Sequence, residues 1–169
     1  MTMGFGSSMP TAIVIDDDRV STQLFTDILR MIGVTVLASG YDGKAAVRLY
    51  ERYSPDIVFT DIMMPENDGF YALKEIRKFD PHAKVVAVTA DFTDESATRL
   101  KELNISAVVY KPFDIQDIKK VLFEKYQIKI RKDDLKKVLK EEKLVIDLEL
   151  AVKKEEFKKQ KRIYRKLDL

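Results

Sequence analysis

Several residues suited to chemistry stand at the ends of short apolar runs in this 169-residue chain. The clearest is Asp61, a carboxylate that follows the uncharged, β-branched run from Ile57 to Thr60. Such a run is typical of a strand buried on both faces of a parallel sheet. The other polar side chains in this position are Asp16, Asp17, Thr89 and Lys111. Because ligands of doubly wound sheets bind at the carboxyl ends of the strands, we expect these residues to form one site.

Three carboxylates without a sulfur or imidazole partner favour a hard cation held by oxygen. The chain has no cysteine and a single histidine, His82, which excludes disulfides, thiolate metal sites and multi-histidine zinc sites. We expect Mg²⁺, since it binds one or two carboxylates and keeps waters for phosphate oxygens. Asp17 and Asp61 are predicted to bind it directly, and Asp16 through a water. Without the ion, repulsion should raise the pKa of at least one carboxyl group.

With the metal in place, Asp61 is a carboxylate nucleophile that faces open space. A phosphoryl donor beside it would have its developing charge stabilised by Mg²⁺, the Lys111 ammonium and the Thr89 hydroxyl. Phosphoryl transfer depends mainly on such positioning and electrostatic stabilisation. The expected product is an aspartyl phosphate on Asp61.

The elements that must position these residues are five strands alternating with five helices. The predicted strands are apolar runs bounded by turns: residues 12–15, 34–37, a run from Ile57 that ends at Asp61, 85–88 and 107–110. Short β-α-β crossovers are right-handed and cover the sheet. The alternation therefore predicts an α/β fold, a doubly wound five-stranded parallel sheet with helices on both faces.

The helices are predicted from apolar spacing and from residues that start or end helices. The first is marked by Val20, Leu24, Ile28 and Ile32 and ends at Gly33 in the left-handed conformation. The second helix is residues 44–52, with Ala46, Val47 and Tyr50 on its inner face, and the third is marked by Phe70, Leu73 and Ile76. The fourth is residues 93–103 and ends on Asn104 in the left-handed conformation. The fifth is capped by Asp114, and its inner face carries Ile118, Val121, Leu122 and Tyr126.

Charge divides the chain near Ile128. Residues 1–128 contain 15 basic and 19 acidic residues, whereas residues 129–169 contain 15 and 9. We expect residues 1–10 to be a disordered leader or an expression remnant, residues 11–127 to be the folded domain, and residues 128–169 to be a charged helical extension. The leader lacks the basic and apolar regions of a signal peptide, and no run is long and uncharged enough to span a bilayer. We therefore expect no membrane contact and a cytoplasmic location.

Four short motifs make the chain similar to the receiver domains of two-component response regulators, and closest in size to their single-domain chemotaxis type. The motifs are Ile15-Asp16-Asp17-Asp18, the stretch from Pro55 to Pro65 with Asp68-Gly69, Val88-Thr89-Ala90, and Lys111-Pro112-Phe113. They occur in order and with family-like spacing, and the resemblance covers about residues 11–126.

The resemblance implies a sheet of strand order 2-1-3-4-5 and phosphorylation of Asp61 by a histidine kinase or a phosphotransfer protein. It also implies Mg²⁺ held by Asp17, Asp61 and the main-chain carbonyl of Met63, and a cis peptide before Pro112 that aims Lys111 into the site. Such a protein catalyses only its own phosphorylation and dephosphorylation and signals through a protein effector. No turnover of a separate substrate is expected.

Two features bear on how such a switch would work here. Receivers usually carry Tyr or Phe three residues before the lysine, as a rotamer switch coupled to the threonine, and this chain has Val108 there. The usual coupling of phosphorylation to the face formed by the fourth helix, the fifth strand and the fifth helix is therefore in doubt, although Thr89 could still pull its loop toward the phosphate. Met63 and Asp91 stand at positions that flank the pocket mouth in the family, where Asp91 could hinder or orient the hydrolytic water.

Residues 129–169 contain neither Pro nor Gly and are rich in Lys, Glu and Leu. Acid-before-base pairs such as Asp133 and Lys137 favour helix, whereas the alternation from Leu144 to Leu150 is typical of a strand. We expect one or two helices that pack on the receiver, join two chains as a homodimer, or bind an effector. Nucleic-acid binding by the basic stretch 158–166 is a less favoured alternative, since mixed Lys and Glu usually form a solvated face.

Functions from other classes remain open. A phosphorylation-independent scaffold or dimerisation module would agree with Val108 and the charged extension, and absence of Mg²⁺-dependent labelling by acetyl phosphate would favour it. A Mg²⁺ phosphohydrolase is disfavoured. The haloacid-dehalogenase-like enzymes that it would resemble need a second aspartate two residues after the nucleophile, where this chain has Met63.

Overall fold

The computed structural model describes residues 9–126, with side chains up to Phe123. The described residues belong to the first of two units into which the chain divides, Met1–Arg131 and Lys132–Leu169. The predictions for residues 1–8 and for the extension after Tyr126 lie outside the described residues.

The described part of the chain is a five-stranded parallel sheet with five helices. The strands are β1 (Thr11–Ile15), β2 (Thr35–Gly40), β3 (Ile57–Thr60), β4 (Val85–Thr89) and β5 (Ala107–Tyr110). The helices are α1 (Arg19–Met31), α2 (Gly43–Tyr53), α3 (Gly69–Phe79), α4 (Asp94–Glu102) and α5 (Ile115–Tyr126). The strand order is β2-β1-β3-β4-β5, and each neighbouring pair is parallel. The predicted α/β fold and its strand order are confirmed.

The core lies along the central strands. Their sequences are almost uniformly apolar because helices cover both faces of the sheet there. Every residue of β3 and β4 is buried, as are the last four of β1. The predicted inner residues of the later helices, Phe70, Leu73, Ile76, Ile118 and Leu122, are also buried. Among residues 9–126, no helix is both long and apolar enough to cross a membrane.

Helix ends follow local side-chain chemistry. Gly33 and Asn104 have positive φ angles of 87° and 54°, as predicted for helix-ending residues. Asp114 accepts hydrogen bonds from the backbone N–H groups of Gln116 and Asp117, which confirms it as the cap of α5.

The apolar spacing in α1 marks its buried face only in part: Ile32 is buried and Ile28 is half-buried, but the two earlier residues of the pattern are not. Val20 and Leu24 are 75% and 57% exposed, whereas Thr22 and Phe25 are buried. Thr22 is satisfied in the interior because its hydroxyl donates to the carbonyl oxygens of Asp16 and Asp18 at 3.0 and 2.9 Å. A polar residue that bonds to the backbone can thus replace an apolar one on the inner face.

Strand β2 is longer than the predicted 34–37. Its pairing with β1 skips Leu37 at an irregularity and then continues through Ala38, Ser39 and Gly40. These small residues carry little strand signal of their own, so their sequence does not show that the ladder with β1 continues.

Candidate functional site

Backbone hydrogen bonds continue the sheet into the loops that carry the candidate residues. The N–H of Asp16 donates to Gly40 O at 3.1 Å, and the N–H of Asp61 donates to Ile15 O at 2.8 Å. On the other side, the N–H of Lys111 donates to Thr89 O at 2.8 Å. The predicted residues are therefore fixed at one edge of the sheet by the strands that precede them.

The centre of this site is an ion-paired triad. The Nζ of Lys111 lies 2.6 Å from Asp16 Oδ2 and 2.6 Å from Asp61 Oδ2. Both carboxylates are buried, and Lys111 is half-buried. Burial alone would lower the pKa of Lys111, but the hydrogen bonds that its ammonium donates to Asp16 and Asp61 outweigh burial and raise the pKa above its ordinary value. Lys111 therefore stays charged between two acids.

The pKa of Asp16 is raised, as predicted for one of the carboxyl groups. The main cause is burial, which outweighs the opposing hydrogen bonds from Lys111 and from the backbone of Asp18. The charge of Asp61 adds only the smallest contribution. The direction was therefore predicted from the sequence, but the main cause is desolvation rather than repulsion between acids.

A third carboxylate completes an oxygen-only cluster. Asp16, Asp17 and Asp61 each offer one oxygen, and these three oxygens lie within 4.8 Å of one another. Asp17 is exposed, so the cluster can be reached from solvent. The donor set is all carboxylate and fits a hard divalent cation. Asp61 Oδ1 also accepts the N–H of Met63 at 3.0 Å, whereas the role of the Met63 carbonyl as a ligand stays a prediction.

Lys111 is placed by a turn anchored in the core. The Lys111–Pro112 peptide is cis, as predicted. The following Phe113 packs edge-on against Phe25 with ring centroids 5.2 Å apart, and Phe25 packs in the same way on Phe59 of β3 at 5.1 Å. This aromatic chain ties the turn after β5 to the strand that carries Asp61.

The loop after β3 is held close by Gly69. A Cβ at Gly69 would lie 2.2 Å from the carbonyl oxygen of Asp61 and 2.8 Å from the Cα of Ile62. The preceding Asp68 caps α3 by accepting the N–H of Tyr71 at 2.8 Å. The Asp68-Gly69 motif thus allows α3 to begin directly against the backbone of Asp61. A close approach between two backbones leaves no periodic signal in a sequence.

Thr89 is buried at the end of β4, and its hydroxyl is joined to the next loop. Thr89 Oγ1 accepts the N–H of Asp91 at 3.1 Å. The Asp91 carboxylate accepts the hydroxyl of Ser96 and, at 2.8 Å, the N–H of Thr93. These bonds, that from Ser96 first, hold the pKa of Asp91 below its ordinary value. Asp91 is therefore bound to the first turn of α4, a contact that the sequence did not indicate.

Comparisons with known proteins agree with this geometry. A family model for the response regulator receiver domain matches residues 12–123. The chain belongs to the response regulator receiver family. This receiver domain is 34% identical over 106 residues to protein CcdB of Bacillus subtilis, a match that covers 63% of this chain and 88% of that protein.

The receiver domain is also similar to chemotaxis proteins. It is 34% identical over 101 residues to the chemotaxis protein CheY of Bacillus subtilis, covering 60% of this chain and 84% of that one. A CheX–CheY–BeF₃–Mg²⁺ complex from Borrelia burgdorferi is similar in structure, with a TM-score of 0.65 and 25% identity over 70% of this chain and 90% of that chain.

Val108 of this receiver domain is half-buried on β5, three residues before Lys111. It packs against a small core cluster of Ile62, Phe70, Ala87 and Leu100. The aromatic residue on this strand is instead Tyr110, whose ring stacks on Phe92. This contact joins residues 18 positions apart in the sequence, and no motif indicated it.

Proposed function

We propose that this receiver domain is a phosphoacceptor switch of a two-component system and that Asp61 carries the phosphoryl group. The observation that carries this proposal is the Lys111 ammonium at 2.6 Å from the buried carboxylate of Asp61. A nucleophile held at a strand end beside a fixed positive charge is suited to phosphoryl transfer.

The donor is proposed to be the phosphohistidine of a histidine kinase or of a phosphotransfer protein, the usual donors for this family. A carboxylate oxygen of Asp61 forms a bond to phosphorus while the bond from phosphorus to the imidazole nitrogen breaks. The electron pair of the broken bond stays on the imidazole. Lys111 and the hydroxyl of Thr89 then donate hydrogen bonds to the phosphoryl oxygens, which stabilises the added negative charge.

Asp17 and Asp61 would hold Mg²⁺ directly, Asp16 would hold it through a water, and the carbonyl of Met63 would be a further ligand. When bound, the ion supplies positive charge to the phosphoryl oxygens. Two observations support this assignment: the carboxylate cluster of this chain and the presence of Mg²⁺ with BeF₃ in the similar Borrelia complex.

We further propose that the protein catalyses only its own phosphorylation and dephosphorylation. Its output would be a changed surface for a protein effector or a changed association with a second chain. The family of signalling domains to which it belongs supports a cytoplasmic location as well.

Intact mass spectrometry tests the proposal directly. With Mg²⁺ and acetyl phosphate, we expect the wild-type chain to gain one phosphoryl group and Asp61→Asn to gain none. Asp94→Asn, at an exposed aspartate in the first turn of α4, is the matched control and should behave as the wild type. Phosphorylation of Asp61→Asn would show that the acceptor lies elsewhere.

Val108 favours one alternative, a scaffold or dimerisation module whose site is not used as a switch. Its valine side chain cannot act as the aromatic rotamer switch that the family usually carries at this position. If neither acetyl phosphate nor a histidine kinase labels the wild-type chain in Mg²⁺, the switch proposal is wrong and the scaffold is preferred.

A further inference from the structure

A pocket lies where the usual aromatic switch is missing. It has a volume of about 230 Å³ and is lined from α4 and β5, by Leu100, Val108 and Tyr110 among others. Side chains two residues apart on a strand point to the same side, so Tyr110 lies on the same side of β5 as Val108. The pocket therefore adjoins both the small residue at the switch position and a large aromatic side chain.

Tyr110 is stacked on Phe92, which lies in the loop between β4 and α4. The ring centroids are 4.7 Å apart and the ring planes are 17° from parallel. Both residues are solvent-exposed, Phe92 at 65% and Tyr110 at 41%. An exposed stacked pair has no surrounding core to hold it in place, so a ring can exchange this contact for another apolar one nearby.

Both partners of the stack are joined to Thr89. On one side, the N–H of Asp91, next to Phe92, donates to Thr89 Oγ1 at 3.1 Å. On the other side, Tyr110 pairs with Thr89 in the β4–β5 ladder, and the next N–H, that of Lys111, donates to Thr89 O at 2.8 Å. The first link is to the Thr89 side chain and the second is to its backbone. A displacement of the side chain alone should therefore move Phe92, while the backbone pairing holds Tyr110 in place.

The loop that carries Phe92 is bonded to α4 rather than loose. Asp91 accepts the N–H of Thr93 at 2.8 Å and the hydroxyl of Ser96, while the N–H of Ser96 donates to Thr93 Oγ1 at 3.3 Å. Because of these bonds, residues 91–96 should move as a unit with the first turn of α4.

We propose that the Phe92–Tyr110 stack reports the state of Asp61 in this chain, in place of an aromatic residue at position 108. The proposal rests on the phosphoacceptor function proposed above. When Asp61 carries a phosphoryl group, the Thr89 hydroxyl moves toward it and donates to a phosphoryl oxygen. The bond from Asp91 to Thr89 then draws Phe92 away from Tyr110, and the Tyr110 ring turns into the pocket beside Val108. The surface of α4 and β5 changes as a result.

The chain contains no tryptophan, so a single substitution creates a unique fluorescent reporter. In Phe92→Trp, addition of BeF₃ with Mg²⁺ should shift the tryptophan emission and increase its quenching by acrylamide, because the ring leaves the stack. Phe79→Trp at the end of α3, where the native residue is 60% exposed, is the matched control and should not respond. Tyr110→Trp follows the other ring and should show decreased quenching as it enters the pocket.

Binding of BeF₃ is measured on the same samples by ¹⁹F NMR, so that two kinds of failure can be told apart. If BeF₃ binds and the emission of neither Phe92→Trp nor Tyr110→Trp responds, or if that of Phe79→Trp responds equally, the stack is not the reporter although the phosphoacceptor function stands. If BeF₃ does not bind and acetyl phosphate does not label Asp61, the proposed function is wrong and the inference fails with it.

The link through Thr89 is tested by a double variant. Thr89→Val is added to Phe92→Trp, which removes the hydroxyl that joins the loop to the site. The Thr89 hydroxyl also donates to the bound group, so the double variant should need more BeF₃ than Phe92→Trp alone. The fluorescence response should be lost even at a BeF₃ concentration at which ¹⁹F NMR shows the site to be occupied. An unchanged response in the double variant would show that Thr89 does not carry the signal and would overturn the proposed link.

Discussion

At the scale of single residues, Lys111 determines the electrostatics of the site. It is the shared partner of Asp16 and Asp61, two buried carboxylates that both lie in the acidic cluster. Removing one partner of a buried ion pair leaves charge without compensation, and this usually costs more than the pair contributes. The unpaired carboxylates should then depend more strongly on an added cation.

We predict that Lys111→Met lowers the free energy of unfolding without metal by about 1–3 kcal/mol. Mg²⁺ should restore more stability to this variant than it adds to the wild type, because the acids have lost their internal counter-charge. Urea unfolding with EDTA and with Mg²⁺ measures both effects. The exposed Lys120→Met is the control, and an equal gain from Mg²⁺ in all three proteins would contradict the prediction.

At the scale of elements, the backbone at the start of α3 lies in close contact with the backbone that follows β3, and Gly69 makes this contact possible. We predict that Gly69→Ala lowers the stability by about 2–3 kcal/mol, since its Cβ would lie 2.2 Å from the Asp61 carbonyl oxygen. Displacing this backbone should also weaken BeF₃ binding by about tenfold or more. Chemical unfolding and ¹⁹F NMR titration measure the two effects.

Gly33→Ala is the comparison for that variant. Gly33 has a φ of 87° but nothing within 4 Å of its Cβ position, so the cost should be backbone strain alone, about 1 kcal/mol. Its BeF₃ affinity should stay that of the wild type. Equal loss of affinity in both glycine variants would show that Gly69 acts only through stability.

The starts of β1 and β3 are joined by a pair of residues whose contribution should depend on pH. Asp56 accepts the N–H of Thr11 at 2.8 Å and its hydroxyl at 2.7 Å. These bonds hold the pKa of Asp56 below its ordinary value of 3.8. A group whose pKa is lower in the folded state stabilises the fold fully above its unfolded value, and this contribution is lost as pH falls through the folded value.

We therefore predict that Thr11→Val lowers the stability by about 0.5–1 kcal/mol near neutral pH, a modest loss because the pair is exposed. The difference from the wild type should shrink as pH falls below 3.8, where Asp56 is protonated in the unfolded chain. Unfolding curves at a series of pH values measure this difference. A difference that is constant or grows in acid would contradict the assignment.

The sequence predicted the elements whose burial depends on apolar side chains. It did not predict features that depend on hydrogen bonds to the backbone or on contacts between a loop and a strand. Buried apolar runs identified β1, β3, β4 and β5, and strand-end polar residues identified Asp61 and Lys111. Part of the inner face of α1 was missed because Thr22 is buried through hydrogen bonds to the backbone. The Phe92–Tyr110 stack could not be predicted either, since it depends on how a loop lies against a strand.

At the scale of the whole molecule, the chain joins an acidic part to a basic one. Residues 1–128 contain 15 basic and 19 acidic residues and have a net charge of −4. Residues 129–169 contain 15 basic and 9 acidic residues and have a net charge of +6. Opposite charges on one chain favour association between chains and with acidic partners. Such attraction weakens as salt shortens the range of electrostatic interactions.

We predict that the extension controls association and is not needed for phosphorylation. A chain ending after Ile128 should still gain one phosphoryl group, because the receiver family match ends at residue 123. In sedimentation velocity with Mg²⁺, BeF₃ should change the association of the full chain and not of the shortened one, and added salt should reduce this change. Equal behaviour of both chains would assign association to the receiver itself. Salt-sensitive binding of the full chain to DNA would instead show that its basic part recognises nucleic acid.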